Sequence, residues 1–207
     1  MEEKELTEKE SLQIITTMIA RTKQRYIGDG NIMLMWGYVC LSVTALVWIM
    51  LLLTQNPVWN WLWFLIWIVG GTLTPRMERK RQTSIGAKSY SDKLISQIWT
   101  VVGFCSLGLT VCCLTFMLFH AYDAWSSWLA FALIIVPFAE IAEGIIIHEK
   151  SLVAGGALGM GCGLVTICCI AGRIPLYVNW FLPMFMFAFI CMMIIPGHIL
   201  NHKAKLQ

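Results

Sequence analysis

The chain has 207 residues, of which 58% are hydrophobic and 13% are charged, and its mean hydropathy is +0.70. This composition excludes an ordinary soluble domain, and several apolar runs approach the ~20 residues that span a ~30 Å hydrocarbon core. The net charge of +3 is too small to indicate nucleic-acid binding. We therefore expect an all-α, polytopic bundle of transmembrane helices whose surroundings are the lipid bilayer and which has no nucleic-acid partner.

Residues 1–30 are predicted to form an amphipathic cytosolic or interfacial helix followed by a turn. Thr7 and Glu10 have the spacing of a capping box, and Gly28 and Gly30 break the pattern. The apolar positions recur near helical period at Leu12, Ile15, Ile19 and Tyr26. Such a helix lies among the lipid headgroups or packs on the cytosolic ends of the spans, and in either place it could dock a protein partner.

The domain at 31–202 contains six apolar segments that are predicted to cross the membrane, and 203–207 form a cytosolic tail. The predicted spans are about 32–53, 58–74, 98–119, 126–147, 152–171 and 177–200. Pro137 marks a place where the fourth span could be a broken helix, and Pro183 and Pro196 predict kinks in the sixth.

Residues 75–97 are predicted to form the longest loop. Its six basic residues are Arg76, Arg79, Lys80, Arg81, Lys88 and Lys93. Basic residues are retained on the cytoplasmic side, and with both termini inside, fourteen of the fifteen Lys and Arg residues fall on that side. We expect a multi-pass protein of the bacterial inner membrane with both termini cytoplasmic. The loop touches anionic lipid or docks a cytosolic protein.

The second span is rich in tryptophan, with Trp59, Trp61, Trp63 and Trp67. Tryptophan prefers the membrane boundary, so Trp59 and Trp61 are expected to mark one face of the bilayer. An aromatic cofactor box is the alternative.

All eight cysteines lie inside predicted spans and none has Cys-x-x-Cys spacing. A disulfide or zinc framework is therefore not expected, and these residues are expected to pack as small apolar side chains.

The fifth span carries Gly155, Gly159 and Gly163 at four-residue spacing. This pattern lets another helix approach backbone to backbone, within the chain or in a homo-oligomer, and a flexible hinge is the alternative.

The fourth span carries two carboxylates, Glu140 and Glu143, which share a helix face because they are three residues apart. Ionisable groups at this depth are costly and mark candidate ion or substrate sites. Two interpretations stay open. The pair binds a proton or cation for transport, or Glu143 reaches cytosolic water while Glu140 hydrogen-bonds a neighbouring helix.

Three histidines are predicted near the inner face, His148 after the fourth span and His198 and His202 at the end of the sixth. Histidines four residues apart on a helix can bind one metal ion, and Glu140 and Glu143 lie near the same depth. A divalent metal is therefore the alternative to the expectation that the protein has no cofactor.

Several short motifs occur along the chain: Ser11-Leu12, Ile15, Met18-Ile19-Ala20, Lys23, Tyr26, Trp36-Gly37, Gly144-Ile145-Ile146, Gly155-Gly156 and Ile195-Pro196-Gly197. On these residues the chain resembles a family of small six-span bacterial membrane proteins of uncharacterised activity. The resemblance implies a six-span fold and brings no catalytic residue or ligand.

Three functions follow as hypotheses. The first is a non-enzymatic interaction or regulatory membrane protein with a cytosolic partner at the N-terminal helix and the 75–97 loop. The second is a small proton- or cation-coupled transporter or channel that uses Glu140 and Glu143. The third is a metal-dependent membrane enzyme.

Overall fold

The computed structural model describes residues 12, 13, 16, 30–85, 90–120 and 124–206. Most of the predicted N-terminal helix at 1–30 lies outside the described residues. The described chain consists of helices and short connections, and it contains no strand.

The helical elements follow one another with short turns. They are α1 (Asn31–Thr54), a 3₁₀ segment (Pro57–Trp63), α2 (Phe64–Ile85), α3 (Tyr90–His120), α4 (Trp125–Ile146), α5 (Lys150–Ala171), α6 (Val178–Phe189), a π-helical turn (Ile190–Ile194) and α7 (Ile195–Lys205). Among the described residues, five helical segments are long and apolar enough to cross a membrane: α1, α3, α4, α5 and the continuous helix formed by α6, the π turn and α7. These helices support a multi-pass membrane protein.

The prediction of a loop at 75–97 is wrong, because most of this segment is helical. Helix α2 continues to Ile85, and α3 begins at Tyr90. Hydropathy predicts a helix boundary where the apolar residues end, but Met, Glu, Arg and Lys are good helix formers. Arg81 also joins the two helices through an ion pair with Asp92 at 2.7 Å. Both helices therefore extend past the apolar part of their sequences.

Pro137 does not break the fourth span, because α4 is continuous from Trp125 to Ile146. Irregular geometry occurs instead in the last membrane helix, where the N–H of Ile195 bonds to the carbonyl of Ile190. Pro196 follows at once and has no N–H to donate to the preceding turn. The wider π turn therefore lies next to the position where Pro196 cannot donate the regular helical hydrogen bond.

Helices α4 and α5 form the most closely packed pair. A Cβ atom on Gly163 would overlap the Leu133 carbonyl oxygen of α4. On Gly159 it would lie 3.1 Å from the Pro137 ring and 2.8 Å from the Met192 sulfur. The spaced glycines of α5 therefore let α4 on one side and the π turn on another approach its backbone.

The start of α1 and the end of the chain are tied together. Gly30 N–H donates to Asn201 Oδ1 at 3.0 Å, and Asn201 Nδ2 donates to Asn31 Oδ1 at 2.8 Å. A Cβ on Gly30 would overlap the Gly197 carbonyl oxygen, so the two helices meet glycine to glycine. The first and last membrane helices thus have these ends on the same side of the bundle.

The α4–α5 turn is tied to α7 by an ion pair. Lys203 Nζ donates to both carboxyl oxygens of Glu149 at 2.8 Å, and Ser151 Oγ donates to one of them at 3.0 Å. Burial opposes ionisation of this carboxyl, but the hydrogen bonds from Lys203 and Ser151 and the Lys203 charge outweigh it and hold the Glu149 pKa below its usual 4.5.

Acidification is therefore expected to remove a part of the stability that depends on Glu149. A carboxyl with a lower pKa in the folded state contributes stability above its unfolded pKa, and this contribution is lost as pH falls through the folded value. Below pH 4.5 the thermal midpoint of wild type should fall further than that of Glu149→Gln. Parallel pH profiles of the two proteins in thermal unfolding would contradict this.

Candidate functional site

A cavity of about 570 Å³ lies among α1, α2, α3, α4 and the last membrane helix. The backbones of α2 and α3 approach each other at very few points, which leaves room between them. Its lining extends along α3 from Asp92 to Ser106, which corresponds to ~21 Å at ~1.5 Å per residue. Of the described helices only α5 contributes nothing to its wall.

One end of the cavity is charged. Arg81 of α2 contacts Asp92 of α3 at 2.7 Å and Glu78, one turn earlier on its own helix, at 3.8 Å. All three residues line the cavity. Since these charged positions lie beyond the apolar parts of α2 and α3, this is the end of the cavity near the membrane boundary.

Glu143 lies in the wall of the same cavity and is partly buried. Its Oε2 accepts a hydrogen bond from Trp99 Nε1 of α3 at 2.7 Å, a length typical of a charge-assisted bond. This bond links α3 to α4. Arg81 forms its ion pairs with Asp92 and Glu78.

Most of the remaining cavity wall is aromatic and aliphatic, and hydroxyl side chains line it at Thr74, Ser96, Thr100 and Ser106. Trp63, which is fully buried, contacts Phe185 edge to face with ring centres 5.7 Å apart. Trp36 lies against Gly70, where any Cβ would overlap its ring, and its Nε1 donates to Thr74 at 3.0 Å. Gly70 therefore gives the indole the space it occupies in the wall.

Glu140 has a different location from Glu143. It is completely buried and does not line the cavity, and neither of its carboxyl oxygens has a hydrogen-bond partner in the described part of the chain. It falls in the helical series Leu133, Pro137, Glu140 and Gly144, whose other members contact α5. The structure thus places one carboxylate in the cavity and the other on the packed face of α4.

The three predicted metal-ligating histidines are not brought together. His148 is exposed in a left-handed turn, with φ of 58°, and His202 is exposed in the last turn of α7. His198 is also exposed and contacts Tyr38 Oη through Nε2 at 2.8 Å. Over the described ranges no group of three or more His, Cys, Asp and Glu side chains is placed to hold a metal ion.

Comparison with known proteins adds no relative. The chain matches no protein-family model, no curated protein and no solved structure. The resemblance to six-span bacterial proteins stays a prediction.

The cavity and most of its polar residues are not apparent from the sequence. The sequence indicates Glu143 as an intramembrane carboxylate, but it predicts that Arg81 and Asp92 lie in a loop. A signal was present at Trp99, because an indole N–H at membrane depth needs an acceptor, and Glu143 is an acceptor at similar depth on the next helix.

Proposed function

We propose that this chain is a non-enzymatic, multi-pass membrane protein that binds a small apolar or amphipathic molecule inside the helix bundle. The cavity of about 570 Å³ is the observation that carries this proposal. Its volume lies within the roughly 300–1,000 Å³ of sites for small organic ligands. In a partly open cavity of this size between membrane helices, the wall side chains lack some of the packing contacts that stabilise a bundle, and an occupant would supply them.

The distribution of polarity along the cavity supports an amphipathic ligand. Aromatic and aliphatic side chains form most of the wall, and Glu78, Arg81, Asp92 and Glu143 lie toward one end. A ligand with an apolar body and a polar group would place each part against matching surface.

A six-span topology with both termini in the cytoplasm is part of the proposal. The start of α1 and the end of α7 lie on the same side, which requires an even number of crossings between them. The 3₁₀ segment and the apolar residues 64–75 together rise ~32 Å, enough for a sixth span beside the five long apolar helices. The basic residues near these ends favour a cytoplasmic location in a bacterial inner membrane.

Two further parts of the sequence-based hypothesis stay predictions. A cytosolic protein partner would contact the N-terminal helix and the charged segment at 75–97, and a second copy of the chain would pack against exposed apolar helix faces. A metal-dependent enzyme has no supporting arrangement among the described residues.

The proposal is tested with 1-aminoanthracene, a neutral apolar fluorophore that emits more strongly in apolar surroundings. Saturable binding at about one site per chain, above the signal of protein-free detergent micelles, is the expected result. A signal that rises linearly with probe, as partition into micelles does, would count against a preformed site.

Proton- or cation-coupled transport is a second candidate, supported by Glu140. A completely buried carboxyl that has no hydrogen-bond partner among the described residues is energetically costly, and in membrane proteins such groups often serve ion pathways. In proteoliposomes, an ion flux that Glu140→Gln abolishes is expected from this candidate. An identical flux in wild type and variant, or no flux in either, would exclude it.

A further inference from the structure

Tryptophan is concentrated around the cavity. Five of the ten tryptophans in the chain line it, at positions 36, 63, 67, 99 and 128. A tryptophan ring is electron-rich on its faces, and it attracts a cation placed over a face. The wall is therefore apolar toward hydrocarbon and attractive toward positive charge.

The N–H groups of four of these rings already have acceptors within the protein. Trp36 donates to Thr74 at 3.0 Å and Trp128 to Thr110 at 3.1 Å. Trp63 donates to Asn60 at 3.3 Å, and Trp99 to Glu143 at 2.7 Å. An anionic ligand would need such donors, and in these four residues the donors are already used within the protein.

The charged groups of the cavity also favour a cation. Among the described residues that line the cavity, Arg81 is the cationic one, and it forms ion pairs with Asp92 and Glu78. Glu143 accepts one hydrogen bond from the described residues, while a carboxylate can accept about four. An incoming cation would meet a carboxylate with remaining capacity, whereas an anion would have to displace the carboxylates on Arg81.

We propose that the cavity selects lipophilic organic cations, with the positive charge near Glu143 and the Trp99 ring and the apolar body along the remaining aromatic wall. This inference rests on the proposed function, because it names the ligand class of the same cavity. The acidic group supplies charge complementarity, and the tryptophans supply apolar contact that tolerates ligands of different shapes.

The test uses two ions of nearly equal size and shape and opposite charge, tetraphenylphosphonium and tetraphenylborate. Binding is measured by titration calorimetry in a non-ionic detergent, since the dipole potential of a lipid bilayer itself discriminates between hydrophobic ions. Wild type is expected to bind the cation at least about tenfold more tightly than the anion. Glu143→Gln is expected to weaken cation binding about tenfold while it keeps 1-aminoanthracene binding.

Glu149→Gln is the matched control, because it makes the same change outside the cavity wall and away from both intramembrane carboxylates. It should keep the cation preference of wild type. Equal affinity for both ions, or unchanged cation affinity in Glu143→Gln, would overturn the inference about cations. If the protein still bound 1-aminoanthracene in that case, the proposed function would stand. Absence of binding by the fluorophore and both ions overturns both.

Discussion

Gly163→Ala is expected to destabilise the protein by about 1–3 kcal/mol, because the new methyl group has no space. It would overlap the Leu133 carbonyl oxygen and lie 2.7 Å from Ile134 Cδ1. The first of these is backbone of a closely packed helix, which cannot move aside as a side chain tip can. The change should appear as a lower thermal midpoint of the purified protein in detergent.

Gly161→Ala is the control for this effect. It lies on the same helix, and a Cβ at this position has nothing within 4 Å. Without a clash, the intrinsic helix preference of alanine over glycine, up to about 1 kcal/mol, is expected to keep or raise stability. The two substitutions are thus expected to have opposite signs. If Gly163→Ala were as stable as Gly161→Ala, the close approach of α4 and α5 would be contradicted.

Gly103→Phe is expected to lower the affinity for 1-aminoanthracene by about tenfold or more without unfolding the protein. Gly103 lies on the α3 face that also carries Ser96, Trp99 and Ser106, and all four line the cavity. A Cβ on Gly103 meets nothing within 4 Å, so a phenyl ring has room to enter the void. It then occupies volume that the ligand needs.

Gly108→Phe is the control for Gly103→Phe, because it makes the same substitution on the same helix. This glycine is on the same helix and its Cβ is equally unobstructed, but it does not line the cavity. Its probe affinity should equal that of wild type. Equal losses in the two variants would show that a phenylalanine anywhere on α3 disturbs binding, and equal retention would place the bound probe elsewhere.

The apolar helices were predictable because their signal is local. A run of about 20 apolar residues matches the bilayer wherever it occurs, and α1, α4 and α5 begin and end within two residues of the predicted spans. The charged ends of α2 and α3 were not predictable in this way, since hydropathy stops at the membrane boundary while the helices continue. The six-span count depends on the 3₁₀ segment. Its rise per residue is larger than that of an α-helix, and the sequence does not specify which of the two helices forms.

The candidate site was predictable only in part. An intramembrane carboxylate is unusual in any sequence, so Glu143 and Glu140 were both candidates. Their different roles depend on how α4 is rotated, which turns Glu143 toward Trp99 and the cavity and Glu140 toward the packed face. The cavity itself depends on the distance between α2 and α3, which cannot be deduced from any single segment of the sequence.

The most direct test of the central claim is an experimental structure of the protein in lipid nanodiscs with 1-aminoanthracene added. The proposed function predicts density for the probe among α1, α2, α3 and α4, in contact with the tryptophan wall. If α2 and α3 closed against each other so that no cavity remained, or the probe were seen only on the lipid-facing surface, binding inside the bundle would be contradicted.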